Sequence, residues 1–293
     1  MLTIFTTAKP FQGHAGIIQR NALKSWTLLH PDVEVILFGD DEGSAEVCKE
    51  FGIRHESQVR RDEHGLKFLD YLFGRAQEIA VHSTLCYLNC DIMLLSDFPS
   101  AVLEVARRFR DFLMVGRRWD VDVVVPWNFN SPAWESQLRQ LVGLSGQQRD
   151  RFYIDYFVFN RGLFSQLLPL VIGRIYWDRW LIWKARSQGA AVIDASRAIT
   201  AVHQNHDYSY HPSGALGVWH DEAARRNCDL AGGEPHLCTI DDATHRLGSE
   251  GIEYNWGGWR HTIRNASVFR PFLITRRWAL RAAPRMYHRL RKN

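Results

Sequence analysis

Over the first 110 residues, short apolar runs alternate with stripes of helical period, and this alternation leaves few folds open. "LTIFTT", "VEVILFGDDEG" and "IRHE" read as strands. Between and after them, "AGIIQRNALKSWTLLH" carries Ile18, Ala22, Trp26 and Leu29 at helical spacing, and "SAEVCKEFG" has Ser44 placed to cap a short helix and Gly52 to stop it. "LKFLDYLFGRAQEIAVH" carries Leu66, Leu69, Phe73, Ala76 and Ala80 on one stripe, the apolar run "YLNCDIMLL" (87–95) follows, and Pro99 opens a further helix. Strands separated by helices predict an α/β chain: a Rossmann-type, mostly parallel sheet with helices on both faces. In such sheets ligands bind outside the carboxyl ends of the strands. Thr6-Thr7, Asp40-Asp41 and Asn89–Asp91 all fall at or near such ends.

Beyond Arg110 the pattern loosens. "FLMVGRRW", "YIDYFVF" and "AAVIDASRAITAVH" read as strands, and "WDRWLIWKARSQG" as a helix. "SPAWESQLRQLVG" reads as a helix capped by Ser131, and "HDYSYHPSGALG" and "DLAGGEP" as loops. With 46% hydrophobic residues the chain can bury a large core. No repeat or Pro/Gly-rich linker divides it, so 1–259 is expected to be one domain, in two halves that meet at about residue 110.

"YLNCDIMLL" is apolar except for Asn89-Cys90-Asp91. Burying a bare carboxylate costs several kcal/mol, so Asp91 needs a partner. An acid at a strand end, beside an amide oxygen, suits a hard divalent cation that shares its shell with diphosphate oxygens. In "YIDYFVF", strand alternation puts Tyr153, Asp155, Phe157 and Phe159 on one face. Asp155 on that apolar face reads as an acceptor for sugar hydroxyls, with a buried salt bridge to Arg117 or Arg118 as the alternative. Asp178 in "YWDRWL" stands at a helix start, where Asp is a favoured cap.

Taken together, "FTTAKPF", the N-C-D triplet, "GRRWD", "DYFVF", "WDRWL" and "HQNHDY" resemble a bacterial and viral set of GT-A-fold nucleotide-diphospho-sugar glycosyltransferases over roughly residues 1–250. In that family a D-x-D triplet holds the metal; here its first acid is Asn89. The resemblance implies a divalent cation, Mn²⁺ or Mg²⁺, held by Asp91 with His203 or His206, and His245 as a further candidate. It implies Thr6, Thr7, Lys9, Asp40, Arg75 and Asn89 around a nucleotide diphosphate sugar, and Asp178 as the base for the acceptor hydroxyl. The helix dipole is expected to lower the pKa of Asp178. Trp177, Trp180 and Trp183 are expected mostly in the core.

The formal charge of +4 hides an asymmetry. Residues 260–293 hold ten Arg or Lys and no acid, which leaves about −6 for the rest. Such a basic, amphipathic tail suits an anionic membrane surface, and less well nucleic acid. The expected partners are therefore the donor, a glycan or lipid-linked acceptor, and that surface. No signal peptide or membrane-spanning stretch is read, and five cysteines without a CxxC pair suggest a reducing cytoplasm, with peripheral attachment to the inner membrane face. Two competitors stand beside this reading. A sugar-1-phosphate nucleotidyltransferase would want a Gly-rich loop after strand one, which "TTAKPFQGHAG" lacks. A non-catalytic sugar- or membrane-binding protein on a degenerate transferase fold is the other, and Asn89 is its main support.

Overall fold

The computed structural model describes residues 1–207 and 213–256. Met1–Tyr254 form one compact unit; the basic tail 260–293 lies outside the described residues. The chain runs through β1 (Leu2–Thr7), α1 (Gly13–Thr27), β2 (Val33–Phe38), α2 (Ser44–Phe51), β3 (Arg54–Glu56) and α3 (Leu69–Ile79). There follow β4 (Thr84–Leu88), β5 (Ile92–Met93), α4 (Asp97–Arg108), β6 (Phe112–Val115), β7 (Arg118–Val121), α5 (Trp134–Ser145), β8 (Gln147–Gln148) and β9 (Tyr156–Asn160). The unit ends with α6 (Trp177–Ser187), β10 (Ala191–Asp194), β11 (Ala201–Gln204), α7 (Gly214–His220), α8 (Glu222–Leu230), β12 (His245–Gly248) and β13 (Gly251–Tyr254). None of these helices is long and apolar enough to cross a membrane.

Two sheets result. The larger has the order β13-β12-β10-β6-β9-β4-β1-β2-β3. Its pairs are parallel except where β9 runs against β4 and β6, and β13 against β12. The smaller has the order β5-β11-β7-β8. Period-2 alternation sorts the large sheet's side chains between two cores. Phe5, Ile36, Phe38, Tyr87 and Phe159 face α3 and α6. Ile4, Val35, Leu37, Leu88 and Val158 face α1, α2 and α4. Phe73 of α3 stacks on Phe159 at 5.5 Å and meets Phe5 edge-on at 5.0 Å; such pairs add about 0.5–1.5 kcal/mol beyond burial.

Three runs are divided between the sheets, two of them read as single strands and the third, "AAVIDASRAITAVH", as one or two. "YLNCDIMLL" belongs to β4 up to Leu88, turns through Asn89–Asp91, and resumes as β5. "FLMVGRRW" is β6 and then β7, and "AAVIDASRAITAVH" is β10 and then β11. Gly116 marks the second crossing. A Cβ there would lie 1.9 Å from the hydroxyl of Tyr156, which is wholly buried. That hydroxyl has no hydrogen-bond partner among the described residues. Other boundaries shift by short-range chemistry. Gly43, in the left-handed region at φ 83°, caps α2 in place of Ser44, and Ala133 rather than Ser131 precedes α5. "YIDYFVF" pairs in the sheet only from Tyr156, so Asp155 lies ahead of the strand.

Gly116→Ala should lower unfolding free energy by about 1–3 kcal/mol, as overpacking does. Tyr156→Phe should be neutral or stabilising, because it removes a buried hydroxyl that lacks a partner. In a urea-denaturation double-mutant cycle, the pair should couple by more than about 0.5 kcal/mol; strict additivity would contradict the close approach.

Candidate functional site

The carboxyl ends of β1, β2 and β4 open onto one cleft of about 1280 Å³. Thr7, Asp41 and Asn89–Asp91 line it at those ends. Because β9 is antiparallel, its leading segment, with Tyr153 and Asp155, reaches the same rim. The first turn of α6 closes another side with Trp177, Asp178 and Arg179. Tyr176, just before that turn, is the only non-glycine with positive φ (86°) among the described residues.

At one end of the cleft Asp91, His203 and His206 bring one ligand atom each to within 4.8 Å of one another. Asp91 Oδ2 is 3.2 Å from His206 Nε2 and 3.8 Å from His203 Nε2. The other nitrogen of each ring is directed elsewhere. His206 Nδ1 is 2.7 Å from the carbonyl of Asp207, which can only accept, so Nδ1 carries the proton. His203 Nδ1 is 3.1 Å from Asp120 Oδ1, within ion-pair range but without the alignment of a hydrogen bond. Both Nε2 atoms are thereby brought toward one carboxylate, an arrangement stabilised by a positive charge between them, either ring protons or a cation. Asp91 Oδ1 is sealed from solvent and lacks a hydrogen bond among the described residues. Burial works to raise the pKa of Asp91, but the charge of His203 and the hydrogen bond and charge of His206 outweigh it and hold the carboxyl far below its usual range. One carboxylate and two imidazoles suit Mn²⁺ or Zn²⁺, and Mg²⁺, which prefers an all-oxygen shell, less well. The donor set therefore fits a divalent cation.

A buried polar chain runs from this cluster beneath the cleft. Arg118, 9% exposed, donates from Nε to Asp120 Oδ1 at 2.8 Å and from Nη1 to Asp155 Oδ2 at 3.0 Å. Asn89 Nδ2 then donates to Asp155 Oδ1 at 2.6 Å. Burial would favour a neutral Arg118, but Asp155 and Asp120 more than offset it, so the guanidinium stays charged.

At the β1–β2 end, Lys67 is 7% exposed and donates to Ala8 O at 2.7 Å and to Asp41 Oδ2 at 2.6 Å. Arg61 spans Asp40 and Asp41. Burial lowers the pKa of both Lys67 and Lys9, and nearby carboxylates (Asp41 for the first, Asp91 and Asp207 for the second) work the other way. Gln19 clamps the backbone of Lys9 through both its amide atoms, at 2.7 and 3.0 Å, which fixes the loop that carries Lys9 into the cleft.

Asp178 is not the cap of α6; Tyr176 precedes the helix and Asp178 is its second residue. Its Oδ1 is buried with no hydrogen-bond partner among the described residues. Burial pushes its pKa up to about 6, against hydrogen bonds and charge from Arg179 that lower it. The expected fall from the helix dipole is therefore overturned: desolvation outweighs it here.

The remaining candidates separate clearly. Thr7 lines the cleft, and its Oγ1 is buried without a partner among the described residues. Thr6 does not reach the cleft: it is fully buried, and its hydroxyl donates to Leu88 O at 2.5 Å, tying β1 to β4. Asp40 points to solvent, its side chain 71% exposed, and Asp41 takes the inward place. Arg75 lies on the outer surface of α3, paired with Glu56 and Glu78. Asp155 holds the ion pair with Arg118, the alternative reading, and both its oxygens are engaged within the chain. His245 packs between Phe109 and Tyr254, away from the cleft. Trp177 and Trp180 are core residues, and Trp183 packs against His236. Sequence reasoning placed Asp40-Asp41 at the rim but chose Asp40 rather than Asp41 as the site residue, and it missed Lys67 and Asp120. The signal for Asp120 was present in "RRWDVD", where alternation puts Arg118 and Asp120 on one face.

The raised pKa of Asp178 has a stability consequence with a definite sign. Well below pH 3.8 the carboxyl is neutral in both states and imposes no penalty. As pH rises from 3.8 toward about 6 the unfolded chain ionises first, so stability falls, and above about 6 the loss is complete. Asp178→Asn should therefore stabilise the fold by about 1–3 kcal/mol at pH 8 and by little at pH 3.5. Thermal melts at the two pH values check this; equal shifts would refute it.

No protein-family model matches the sequence, and no curated protein matches it. Among solved structures, the fold is similar to glucosyl-3-phosphoglycerate synthase from Mycobacterium tuberculosis in complex with Mg²⁺ and UDP, at 14% identity and a TM-score of 0.48, covering 80% of each chain. The same synthase with Mn²⁺, UDP-glucose and phosphoglyceric acid gives 13% identity and a TM-score of 0.46, again over 80% of each chain. S. aureus TarS 1–349 gives 10% identity and a TM-score of 0.45, covering 69% of this chain and 60% of that one. At such values the functional reading rests on the side chains of the cleft.

Proposed function

We propose that this protein is a metal-dependent glycosyltransferase of the GT-A type, moving a sugar from a nucleotide diphosphate sugar to an acceptor hydroxyl. The observation that carries the reading is the convergence of Asp91, His203 and His206 at the carboxyl rim of the sheet, with the half-buried, Gln19-clamped Lys9 beside them. These three side chains would hold Mn²⁺ or Mg²⁺, which when bound supplies charge to the diphosphate leaving group. The rest is done by the chain. Lys9 and the Thr7 hydroxyl offer donors to phosphate oxygens. Lys67 and Asp41 set a donor and an acceptor side by side at the end of β2, where the nucleoside would lie. Asp178, half-buried with its Oδ1 sealed from solvent and its pKa near 6, is ionised at neutral pH yet more basic than an exposed carboxylate, which suits it to take the acceptor's proton. The acceptor is taken to be a glycan or lipid-linked glycan, and the tail 260–293 to hold the enzyme on an anionic surface of the cytoplasmic membrane. The domain limits 1–259 and 260–293 belong to this proposal.

Calorimetric titration of UDP, GDP and CDP, each with and without Mn²⁺, tests the donor site. One nucleotide should bind in a Mn²⁺-dependent manner, and Asp91→Ala should weaken it at least tenfold. Failure of all three to bind the folded wild type would sink the proposal and favour a non-catalytic binding protein. With a turned-over donor in hand, kcat should fall as pH drops through about 6, and Asp178→Asn should abolish that limb with a loss of at least a hundredfold. Truncation after Tyr254 should leave nucleotide binding intact and reduce sedimentation with anionic vesicles.

A further inference from the structure

The Asn89-Cys90-Asp91 triplet has an amide where a second carboxylate would be the obvious partner for a cation. The geometry points to a reason: we propose that Asn89 is a positioning residue whose amide holds the Asp155–Arg118–Asp120 chain in place, and that an acid at this position weakens cation binding. This rests on the metal-site reading above.

Asn89 and Asp155 are joined twice. The backbone N–H of Asn89 donates to Asp155 O at 3.0 Å, and its side-chain Nδ2 donates to Asp155 Oδ1 at 2.6 Å. The backbone bond prevents the two residues from moving apart, so whatever stands at position 89 faces a carboxylate at hydrogen-bond distance. An amide fits there because it can donate. A carboxylate would set two like charges in contact inside a site where Asp155 is only 6% exposed. The cation at hand is Arg118, already bonded to Asp155. Arg118 also fixes Asp120 at 2.8 Å, and Asp120 stands 3.1 Å from His203 Nδ1. Drawing the guanidinium toward an acid at 89 would loosen Asp120 and, through it, the ring that turns Nε2 toward Asp91. Groups behind metal ligands typically change affinity by about 10- to 100-fold. The added charge would attract a cation directly. That gain is opposed by disorder in a ligand already aimed at the site, and the pinned backbone makes the second effect dominate.

The test compares full-length wild type, Asn89→Asp, and the exchange variant Asn89→Asp/Asp155→Asn, by Mn²⁺ titration and thermal melting. Asn89→Asp should bind Mn²⁺ at least tenfold more weakly than wild type. The exchange variant, which restores an amide facing a carboxylate, should melt above Asn89→Asp and recover part of the affinity. Asn89→Asp binding Mn²⁺ as tightly as wild type, or an exchange variant that melts no higher than the single variant, overturns the inference. Wild type that binds no Mn²⁺ removes the metal-site reading itself, and this inference with it.

Discussion

One guanidinium organises the cleft. Arg118 is buried, and a buried cation is tolerated only with partners that satisfy its charge and its planar donors. Asp155 and Asp120 do so from two directions. Removal of either acid, with no carboxylate placed beside Arg118 in exchange, would leave uncompensated charge in the interior, which commonly costs about 3–5 kcal/mol. The same bonds that make Arg118 tolerable also orient Asn89 on one side and His203 on the other. Stability and site geometry therefore rest on the same few atoms.

The cleft has a second source of strain. Tyr176 occupies the left-handed region, which costs a non-glycine residue about 1–2 kcal/mol. What compensates is next to it: Trp177 is 5% exposed and packs edge-on against Tyr87 at 5.3 Å. The turn is thus held by an aromatic anchor, and the residue after the anchor is Asp178. Burial of its carboxyl raises its pKa to about 6, which is unfavourable for folding above that pH.

Much of this was legible in the sequence because it depends on period. The strand–helix alternation, the sorting of side chains between two cores, and the rim that gathers Thr7, Asn89 and Asp91 all follow from apolar spacing. Asp91, His203 and His206 could be picked out as candidates, and the structure brings them together, although 112 positions separate Asp91 from His203. What period does not carry is where a strand changes sheet. "YLNCDIMLL" and "FLMVGRRW" look continuous because both halves of each are buried, yet each half is buried in a different place. Single-residue direction was equally hidden. Asp40 and Asp41 are adjacent acids after one strand, and only the turn decides that the second faces Lys67. Thr6 and Thr7 differ in the same way, since alternation sends one hydroxyl to Leu88 and the other to the cleft. Asp178 shows a competition of magnitudes, dipole against desolvation, that no spacing reveals.

The division of the chain between two sheets has a mechanical consequence. His203 lies on β11 and is registered directly between Ile92 of β5 and Asp120 of β7. Asp91 immediately precedes β5. These parts of the cation cluster thus share the small sheet's hydrogen-bonded frame, whereas Thr7, Asp41 and Lys67 are attached to the large one. Flexing along the seam between the sheets would change the distance from the cluster to Asp41 and Lys67 while leaving the Asp91–His203 spacing nearly constant.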